Sequence, residues 1–228
     1  MPERYASLKQ GLVGCWIPSV SGSGFLLPDL SGRGNNGTLT NMASDDWVSA
    51  QYGRALDFDG SNDIVSTTIS TGLSASFTVS CWVRLGRVGT TQPEAFVNSQ
   101  VASYSNYWFN FGTYQSRLSF GLYDGSNNPL TGDTGVGFSP STGIWYHFTA
   151  VRNIASDTIA DYVNGILNRS VTDTTTSIPA YSALTIGAQS TPANRHAAAQ
   201  FDDIRIYNRA LSDSEIRLLF ESKRGKYL

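Results

Sequence analysis

The sequence predicts an all-β fold, a two-sheet antiparallel sandwich of about a dozen strands with one short C-terminal helix. Turn dipeptides recur along the chain and divide it into short segments: Ser31-Gly32, Asn36-Gly37, Asp59-Gly60, Asp124-Gly125 and Asn164-Gly165. Many of these segments alternate apolar with polar side chains, which is the period of a half-buried strand. The 228 residues are 40% hydrophobic and 12% aromatic, enough for one large core. We therefore expect a single domain over residues 11–228, preceded by an N-terminal tail, residues 1–10.

The apolar faces of two segments indicate central strands. Residues 77–83 place four apolar side chains on one face: Phe77, Val79, Cys81 and Val83. Residues 144–152 are partly apolar on both faces, which is typical of a strand covered on both sides. The segment YVNGIL, residues 162–167, predicts a hairpin with a primed turn at Asn164-Gly165. We expect the longest loops at residues 86–105 and 123–143, and loops on a rigid sandwich commonly bind ligands.

The segment FDDIRIYNRALSDSEIRLLFES, residues 201–222, predicts a strand followed by a capped helix. Alternation within the strand places Asp202 and Asp203 on opposite faces. Ser212 and Glu215 have the spacing of a capping box, so the helix is expected near residues 212–221. The basic residues Lys223, Arg224 and Lys226 then complement the negative end of the helix dipole.

Three segments occur in an order that carries a family resemblance. Residues 11–41 read GLVGCWIPSVSGSGFLLPDLSGRGNNGTLTN, residues 53–65 read GRALDFDGSNDIV, and the strand and helix of residues 201–222 follow. This ordered set resembles laminin-G-like jelly-roll domains of the concanavalin A-like lectin and glucanase superfamily, of the standalone type found among phage structural proteins. The resemblance covers nearly the whole chain and implies a concanavalin A-like jelly roll.

Charge and composition exclude several classes of partner. The net charge of −2, with acidic and basic residues interspersed, gives no electrostatic footprint for nucleic acid. No apolar run approaches the length that spans a membrane. The N-terminus MPERYASLKQGLVG lacks the apolar stretch of a signal peptide. We therefore expect a protein made in the host cytoplasm and displayed on a virion surface, with an extracellular location as the alternative. Cys15 and Cys81 are expected to be buried free thiols.

The distribution of glutamates predicts a protein without catalytic residues. The resemblance includes retaining glucanases, which carry two glutamates and an aspartate on one strand, because their chemistry needs two carboxylates roughly 5 Å apart. This chain has four glutamates, none of them in a predicted strand: Glu3, Glu94, Glu215 and Glu221. His147 lies on the face of Trp145 and Val151, where a hydrogen-bonded core histidine is expected.

The resemblance also implies a structural calcium ion. Relatives commonly hold calcium with an aspartate at the start of the closing strand and with backbone carbonyls near the first strands. The matching residues here are Asp202, Gly60 and Ile17, and calcium accepts such a flexible set of oxygen ligands. The alternative is that Asp202 and Asp203 accept backbone hydrogen bonds at a strand end.

A glycan is the candidate ligand of the aromatic-rich residues 104–128. Sugars present apolar C–H faces that stack on aromatic rings, while Asn and Asp side chains bind their hydroxyl groups. The candidate binding residues combine both types: Tyr107, Trp108, Tyr123, Asp124 and Asn127. The alternative is a set of core aromatics followed by a polar turn, because Tyr107, Phe109 and Phe111 share a face.

Three functions follow from these observations. The first is a non-catalytic binding or display module on a phage or virus particle, as a capsid decoration or a fibre. Its partner would be a glycan or a particle-surface protein, and it could form an oligomer on the virion. The second is a carbohydrate-binding module associated with a secreted polysaccharide-degrading system. The third is a glycosidase or lyase, because one sandwich fold hosts lectins, enzymes and scaffolds.

Overall fold

The computed structural model describes residues 6–50, 53–70, 73, 75–88, 93–101, 107–124, 126–131, 136–176, 181–189 and 195–228. Within them lie two short 3-10 helices, Ser7–Lys9 and Ser44–Asp46, fifteen strands and one α-helix, α1 (Asp213–Tyr227). The strands are β1 (Leu12–Trp16), β2 (Leu26–Leu27), β3 (Gly37–Thr40), β4 (Trp47–Ser49), β5 (Arg54–Asp59), β6 (Ile64–Ser66), β7 (Phe77–Leu85), β8 (Glu94–Val101), β9 (Tyr107–Tyr114), β10 (Arg117–Leu122), β11 (Trp145–Asn153), β12 (Thr158–Val163), β13 (Ile166–Thr172), β14 (Tyr181–Ile186) and β15 (Ala198–Tyr207).

The strands form two antiparallel sheets, which confirms the predicted sandwich. Sheet A has the order β13-β12-β11-β7-β15-β5-β4, and β1 also pairs with β15. Sheet B has the order β10-β9-β8-β14-β6-β3-β2. The described part of the chain contains no helix that is long and apolar enough to cross a membrane.

The core lies between the two sheets and is rich in phenylalanine. The predicted apolar face of β7 is confirmed, because all four of its members lie in this core: Phe77, Val79, Cys81 and Val83. From β15, the Phe201 ring meets the Phe58 ring of β5 edge-on, with centroids 5.2 Å apart. The Phe96 ring of β8 lies 5.5 Å from Phe201 and so joins the two sheets.

A β-bulge interrupts β15 at its two aspartates. Phe201 and Ile204 both belong to the core although they are three positions apart, and the pairing with β7 shifts between Asp202 and Arg205. Asp203 has a φ of 49°, the left-handed conformation that such an extra residue adopts. The bulge carries both carboxylates to the outer face of sheet A. The expectation that alternation separates them is therefore wrong.

Helix α1 covers part of the outer face of sheet A. The capping box is confirmed, since Ser212 Oγ accepts from Glu215 N at 3.3 Å and the Glu215 carboxylate accepts from Ser212 N at 3.0 Å. The helix continues to Tyr227 instead of ending near residue 221. Its last turn contacts the sheet through Lys226 and Tyr227, and tertiary packing of this kind stabilises helical turns that propensity alone does not.

Two predicted boundaries differ from the structure. Residues 7–9 of the predicted tail form a 3-10 helix whose Leu8 side chain is buried with Tyr207 and Leu211. Residues 94–101 of the loop predicted at 86–105 form strand β8. Ala95, Phe96 and Val97 are consecutive and all buried, so the strand lacks the alternation that identifies a half-buried strand in a sequence.

Two further predictions are confirmed by the structure. β12 and β13 form the hairpin, and Asn164 and Gly165 have the positive φ angles of 51° and 77° that a primed turn needs. Cys15 and Cys81 are free and buried. Burial raises the pKa of the Cys15 thiol to about 11, so this thiol is protonated near neutral pH.

Candidate functional site

Asp202 is a fully buried carboxylate on the outer face of sheet A and accepts four hydrogen bonds there. Its Oδ1 accepts from the backbone N–H groups of Ser19, at 3.2 Å, and Asp203, at 2.9 Å. Its Oδ2 accepts from Lys226 Nζ at 2.7 Å and from the Tyr227 hydroxyl at 2.5 Å. Burial, and then the Asp202 charge, raise the pKa of Tyr227, which keeps its hydroxyl a donor.

The predicted calcium ligands each have a partner within the protein. Lys226 already places a positive charge on Asp202, where a calcium ion would lie. The Gly60 carbonyl accepts from Arg87 Nη2 at 3.3 Å, and the Ile17 carbonyl accepts from the backbone of Val20. Over the described ranges, no group of three or more His, Cys, Asp or Glu residues is arranged to hold a metal. Calcium stays a prediction.

Asp203 forms its ion pair with a different cation from the one that Asp202 binds. Its carboxylate binds the Arg205 guanidinium twice, at 2.6 and 3.0 Å, in the two-point geometry that makes such pairs strong. The carboxylate is 5% exposed and the arginine side chain 15% exposed. The two neighbouring aspartates are thus neutralised by separate cations, which explains how a bulge with two buried carboxylates is tolerated.

His147 lies beneath helix α1 in a cluster of aromatic rings. Its ring is 5.3 Å from Trp82 and 6.2 Å from Phe220, and Trp82 stacks on Tyr227 at 4.1 Å. Burial lowers the pKa of His147 to about 4, so the ring is neutral at pH 7. The predicted hydrogen bond is not found at Nδ1, which has no partner within the described ranges. The position of His147 on the face of Trp145 is confirmed.

Two of the predicted glycan-binding residues lie together in the turn after β10. The Asp124 carboxylate accepts from the backbone of Ser126 and Asn127, at 2.9 and 2.7 Å, and from the Asn127 amide at 3.0 Å. It also accepts from the backbone N–H of Thr176 at 2.6 Å. The bond from Thr176 lowers the pKa of Asp124 the most, and the bonds from Asn127 lower it further. The carboxylate therefore organises the turn and holds it against the segment that follows β13.

The other three predicted glycan-binding residues are described to different extents. Tyr123 is half-buried at the start of the same turn. The backbones of Tyr107 and Trp108 belong to β9, while their side chains lie outside the described part of the structure. Glycan binding by these five residues stays a prediction.

Two open grooves on the outer face of sheet A were not predicted. Their volumes are about 410 and 420 Å³, and they share Arg84, Gly143 and Gln200. The first extends to Asp57 of β5, and the second extends to Trp145 of β11. Their walls come from five strands, from the loop before β11 and from the C-terminal end of helix α1. These parts are distant in sequence, so no local motif marks the grooves.

Sequence comparison decides the family. A laminin G family model, described as the concanavalin A-like lectin/glucanases superfamily, matches residues 58–217. The chain belongs to this superfamily. No curated protein matches the chain in sequence.

Solved structures share the superfamily fold with this chain at low sequence identity. The receptor binding domain of botulinum neurotoxin C/D mosaic serotype matches with a TM-score of 0.71 and 15% identity, over 93% of this chain and 51% of that one. The binding domain of Paraclostridial Mosquitocidal Protein 1 matches with a TM-score of 0.70 and 20% identity, over 94% of this chain and 53% of that one.

A sialidase also contains this fold. Trypanosoma rangeli sialidase, solved in complex with 2,3-difluoro-KDN, matches with a TM-score of 0.68 and 20% identity, over 94% of this chain and 33% of that one. The chain therefore spans about half the length of the neurotoxin domain and of the mosquitocidal-protein domain, and a third of the sialidase. At these identities the likeness shows the jelly-roll fold.

Each glutamate in the described ranges is bound to arginine. Glu94 begins β8 instead of lying in a loop, and its buried carboxylate pairs with Arg87. Burial raises the pKa of Glu94, and Arg87 opposes that rise. Glu215 binds Arg209 at 2.7 and 2.8 Å, which lowers the pKa of Glu215 to about 2. The remaining described glutamate faces arginines of its own helix: Glu221 lies 3.4 Å from Arg224 and 3.9 Å from Arg217.

Proposed function

We propose that this jelly-roll domain is a non-catalytic binding and display module on the surface of a phage or virus particle, with a glycan as its ligand. The binding role is supported by the superfamily and by two structures that share its fold, the receptor binding domain of the neurotoxin and the binding domain of the mosquitocidal protein. The resemblance of the ordered sequence segments to domains of phage structural proteins supports the particle role, as a capsid decoration or a fibre.

The arrangement of the glutamates carries the non-catalytic part of the proposal. Glycosidases of this fold need two carboxylates facing one cleft at a fixed separation. In the described ranges, Glu94 lies on β8 and the other two glutamates lie on helix α1, each bound to arginine. The pair with Arg209 favours the charged form of Glu215, which makes that carboxylate a poor general acid. Glu94, whose pKa burial raises, has no second glutamate beside it on β8.

Turnover assays test this part directly. We expect no hydrolysis of common β-glucans by the purified domain, measured as released reducing ends over hours. Glu94→Gln should leave this baseline unchanged. Reproducible hydrolysis that a single Asp→Asn substitution abolishes would contradict the non-catalytic assignment.

A glycan array tests the ligand class. The purified domain should bind at least one glycan reproducibly, and the bound structures would define the sugar and its linkage. The sialidase that shares this fold was solved with a sugar derivative bound, which makes a glycan a reasonable first probe for this chain as well. Failure to bind any glycan on the array would remove the glycan from the proposal.

The particle role has its own test. Mass spectrometry of purified particles should find the protein in amounts comparable to the structural proteins, and an antibody against the domain should label intact particles. Genes for capsid and tail proteins beside its gene would agree with this role. Neighbouring genes for polysaccharide-degrading enzymes, with secreted protein and no labelled particles, would favour the carbohydrate-binding module of a secreted system.

A further inference from the structure

Four strands of sheet A place one side chain each in a row across its outer face. The row consists of Trp145 on β11, Arg84 on β7, Gln200 on β15 and Asp57 on β5. The register pairs Trp145 with Arg84, Arg84 with Gln200, and Gln200 with Asp57. Because neighbouring strands lie about 4.8 Å apart, the row spans roughly 14 Å.

The polar groups of the row hold each other only weakly. Arg84 Nη1 lies 3.5 Å from Gln200 Oε1, and Gln200 Nε2 lies 3.5 Å from Asp57 Oδ2. Both distances are at the long limit of a hydrogen bond. The firm contact in the row is Arg84 Nε to the Gly143 carbonyl, at 2.9 Å, which fixes the plane of the guanidinium.

Arginines with structural roles in the same protein are bound differently. Arg205 and Arg152 contact their carboxylates at 2.6 Å, and both side chains are largely buried. Arg84 instead is exposed, while Gln200 and Asp57 are half-buried beside it. The polar side chains of the row are therefore accessible, and their weak hydrogen bonds to one another can be replaced by hydrogen bonds to a ligand.

The space above the row has the size of a small-ligand site. The two grooves of about 410 and 420 Å³ meet along Arg84, Gly143 and Gln200, and each falls within the common range for ligand sites. One end is polar at Asp57. The other end is apolar, where Ile144 is 48% exposed, Leu228 is 57% exposed and Trp145 beside them is 9% exposed.

The chemistry of the row matches a neutral, hydroxyl-rich ligand. Arg84 donates hydrogen bonds, Asp57 accepts them, and the Gln200 amide between them does both. An anion would be repelled by Asp57 and a cation by Arg84, whereas vicinal hydroxyl groups act as donors and acceptors together. Successive polar groups along the row are about one strand spacing apart, which is comparable to the length of one pyranose ring.

We propose that this row, Trp145, Arg84, Gln200 and Asp57, is the binding site of a neutral saccharide, with the apolar end receiving a sugar face. This inference rests on the proposed function, because it assumes that the domain binds a glycan. The inference adds that the glycan is neutral and that it binds the strands of sheet A, away from the turn of Asp124.

Solution NMR tests the location. We would titrate the ¹⁵N-labelled domain with two neutral probes, cellotetraose and tetra-N-acetylchitotetraose, and with one anionic probe, 3′-sialyllactose. Binding of a neutral probe should shift amide signals around Arg84, Gly143 and Gln200. Arg84→Ala and Gln200→Ala should each weaken that binding about tenfold, the effect of losing one hydrogen bond to a charged or buried partner.

Arg33→Ala is the matched control, because Arg33 is an exposed arginine in the turn between β2 and β3. It should bind the neutral probe like the unmodified domain, and all variants should keep the same melting temperature. Full affinity in Arg84→Ala and Gln200→Ala, or shifts confined to the Asp124 turn, would overturn the site while the proposed function stands. Binding of the anionic probe alone would overturn the neutral class. If neither the probes nor any array glycan bind, the site fails together with the glycan part of the proposed function, while the particle role is decided by its own test.

Discussion

The two faces of sheet A are covered by different chemistry. The inner face packs on sheet B through phenylalanine and aliphatic side chains, with Phe201 and Phe77 fully buried among them. The outer face, under helix α1, buries charged and titratable groups, among them Asp202, Asp203 and His147. The inner layer supplies stability that depends mainly on volume, with the buried carboxyl of Asp161 on β12 as a titratable exception. The outer layer supplies stability that depends on particular partners and on pH.

The largest effect is expected in the inner layer. Phe201→Ala removes a fully buried ring that joins the sheets, and such truncations destabilise a domain by about 3–5 kcal/mol. Urea unfolding followed by tryptophan fluorescence would measure the loss. Ile166→Ala is the control, because Ile166 is 66% exposed and should change stability by less than about 0.5 kcal/mol. Equal effects of the two changes would contradict the assignment of the core.

The outer layer should respond to the loss of a charge partner. Asp202→Ala leaves Lys226 and Tyr227 without their buried acceptor and should destabilise by about 3 kcal/mol. Arg217→Ala removes an exposed pair at 3.9 Å and should cost under about 1 kcal/mol. Combining Asp202→Ala with Lys226→Met should recover part of the loss, since no unpaired charge then remains. A double variant as unstable as the sum of the single variants would argue against direct pairing.

Chelation decides the calcium prediction at the same residue. A bound ion at a hundredfold excess over its Kd would stabilise the fold by about 2.7 kcal/mol, a melting shift of roughly 5–10 °C. Chelator should then lower the melting temperature, and Asp202→Ala should abolish that effect. If instead Lys226 is the permanent cation partner of Asp202, chelator leaves melting unchanged. The bulge also changes the expectation for Asp203. Because both carboxylates lie on the outer face of sheet A, Asp203→Ala should leave Arg205 without its ion-pair partner and should also destabilise the fold.

The two layers should show opposite pH dependence. Burial lowers the pKa of His147 to about 4, below its unfolded value of 6.5, so the unfolded chain binds more protons between these values. Folding stability from His147 is therefore lost as the pH falls from 6.5 to 4. Burial raises the pKa of Asp161, on the inner face of β12, to about 6 from 3.8. Its folded state binds the extra proton, so stability from Asp161 is lost as the pH rises through this range.

Unfolding measured from pH 4 to 7 separates these two groups. His147→Gln should flatten the loss of stability toward low pH. Asp161→Asn should raise stability near pH 7 and remove the opposite slope, because the neutral amide avoids the cost of burying a charge. Identical pH profiles for both variants would show that neither group is buried as described.

The smallest expected effect is at the helix cap. Ser212→Ala removes the side-chain acceptor for Glu215 N and should destabilise by about 1 kcal/mol. The Glu215 carboxylate adds stability above its unfolded pKa near 4.5, which is lost as the pH falls through its folded value of about 2. Ser212→Ala also removes the bond that Ser212 Oγ donates to the Glu215 carboxylate at 3.2 Å, so part of its effect should be lost as the pH falls toward 2. The part due to the neutral bond from Glu215 N should persist in 1 M salt.

The features predicted from the sequence are those set by local patterns. Alternation identified the core face of β7, the spacing of Ser212 and Glu215 identified the helix start, and Asn164-Gly165 identified the hairpin. The bulge at Asp203 was not predicted, because alternation continues through the letters of the sequence while the backbone gains an extra residue. The pairing of Lys226 with Asp202 was missed because it depends on how the helix lies across the sheet.

The side chains of the candidate site could not be grouped together from the sequence. Trp145, Arg84, Gln200 and Asp57 come from four strands, and only the register of three pairings aligns them. A glycan site was predicted in residues 104–128 because that segment is rich in aromatic residues. Two of these residues, Phe109 and Phe111, are fully buried in the core.

The position of β15 has a consequence for how the chain folds. One edge of β15 pairs with β7, and the other pairs first with β5 and then with β1, although Ser19, just after β1, lies 183 positions before Asp202. All three partner strands are synthesised long before the strand that fits between them. During translation their edges stay open to pairing with other chains, a recognised route to aggregation. Such non-local pairing also makes folding slow, so expression at low temperature or with chaperones should increase the yield of native protein.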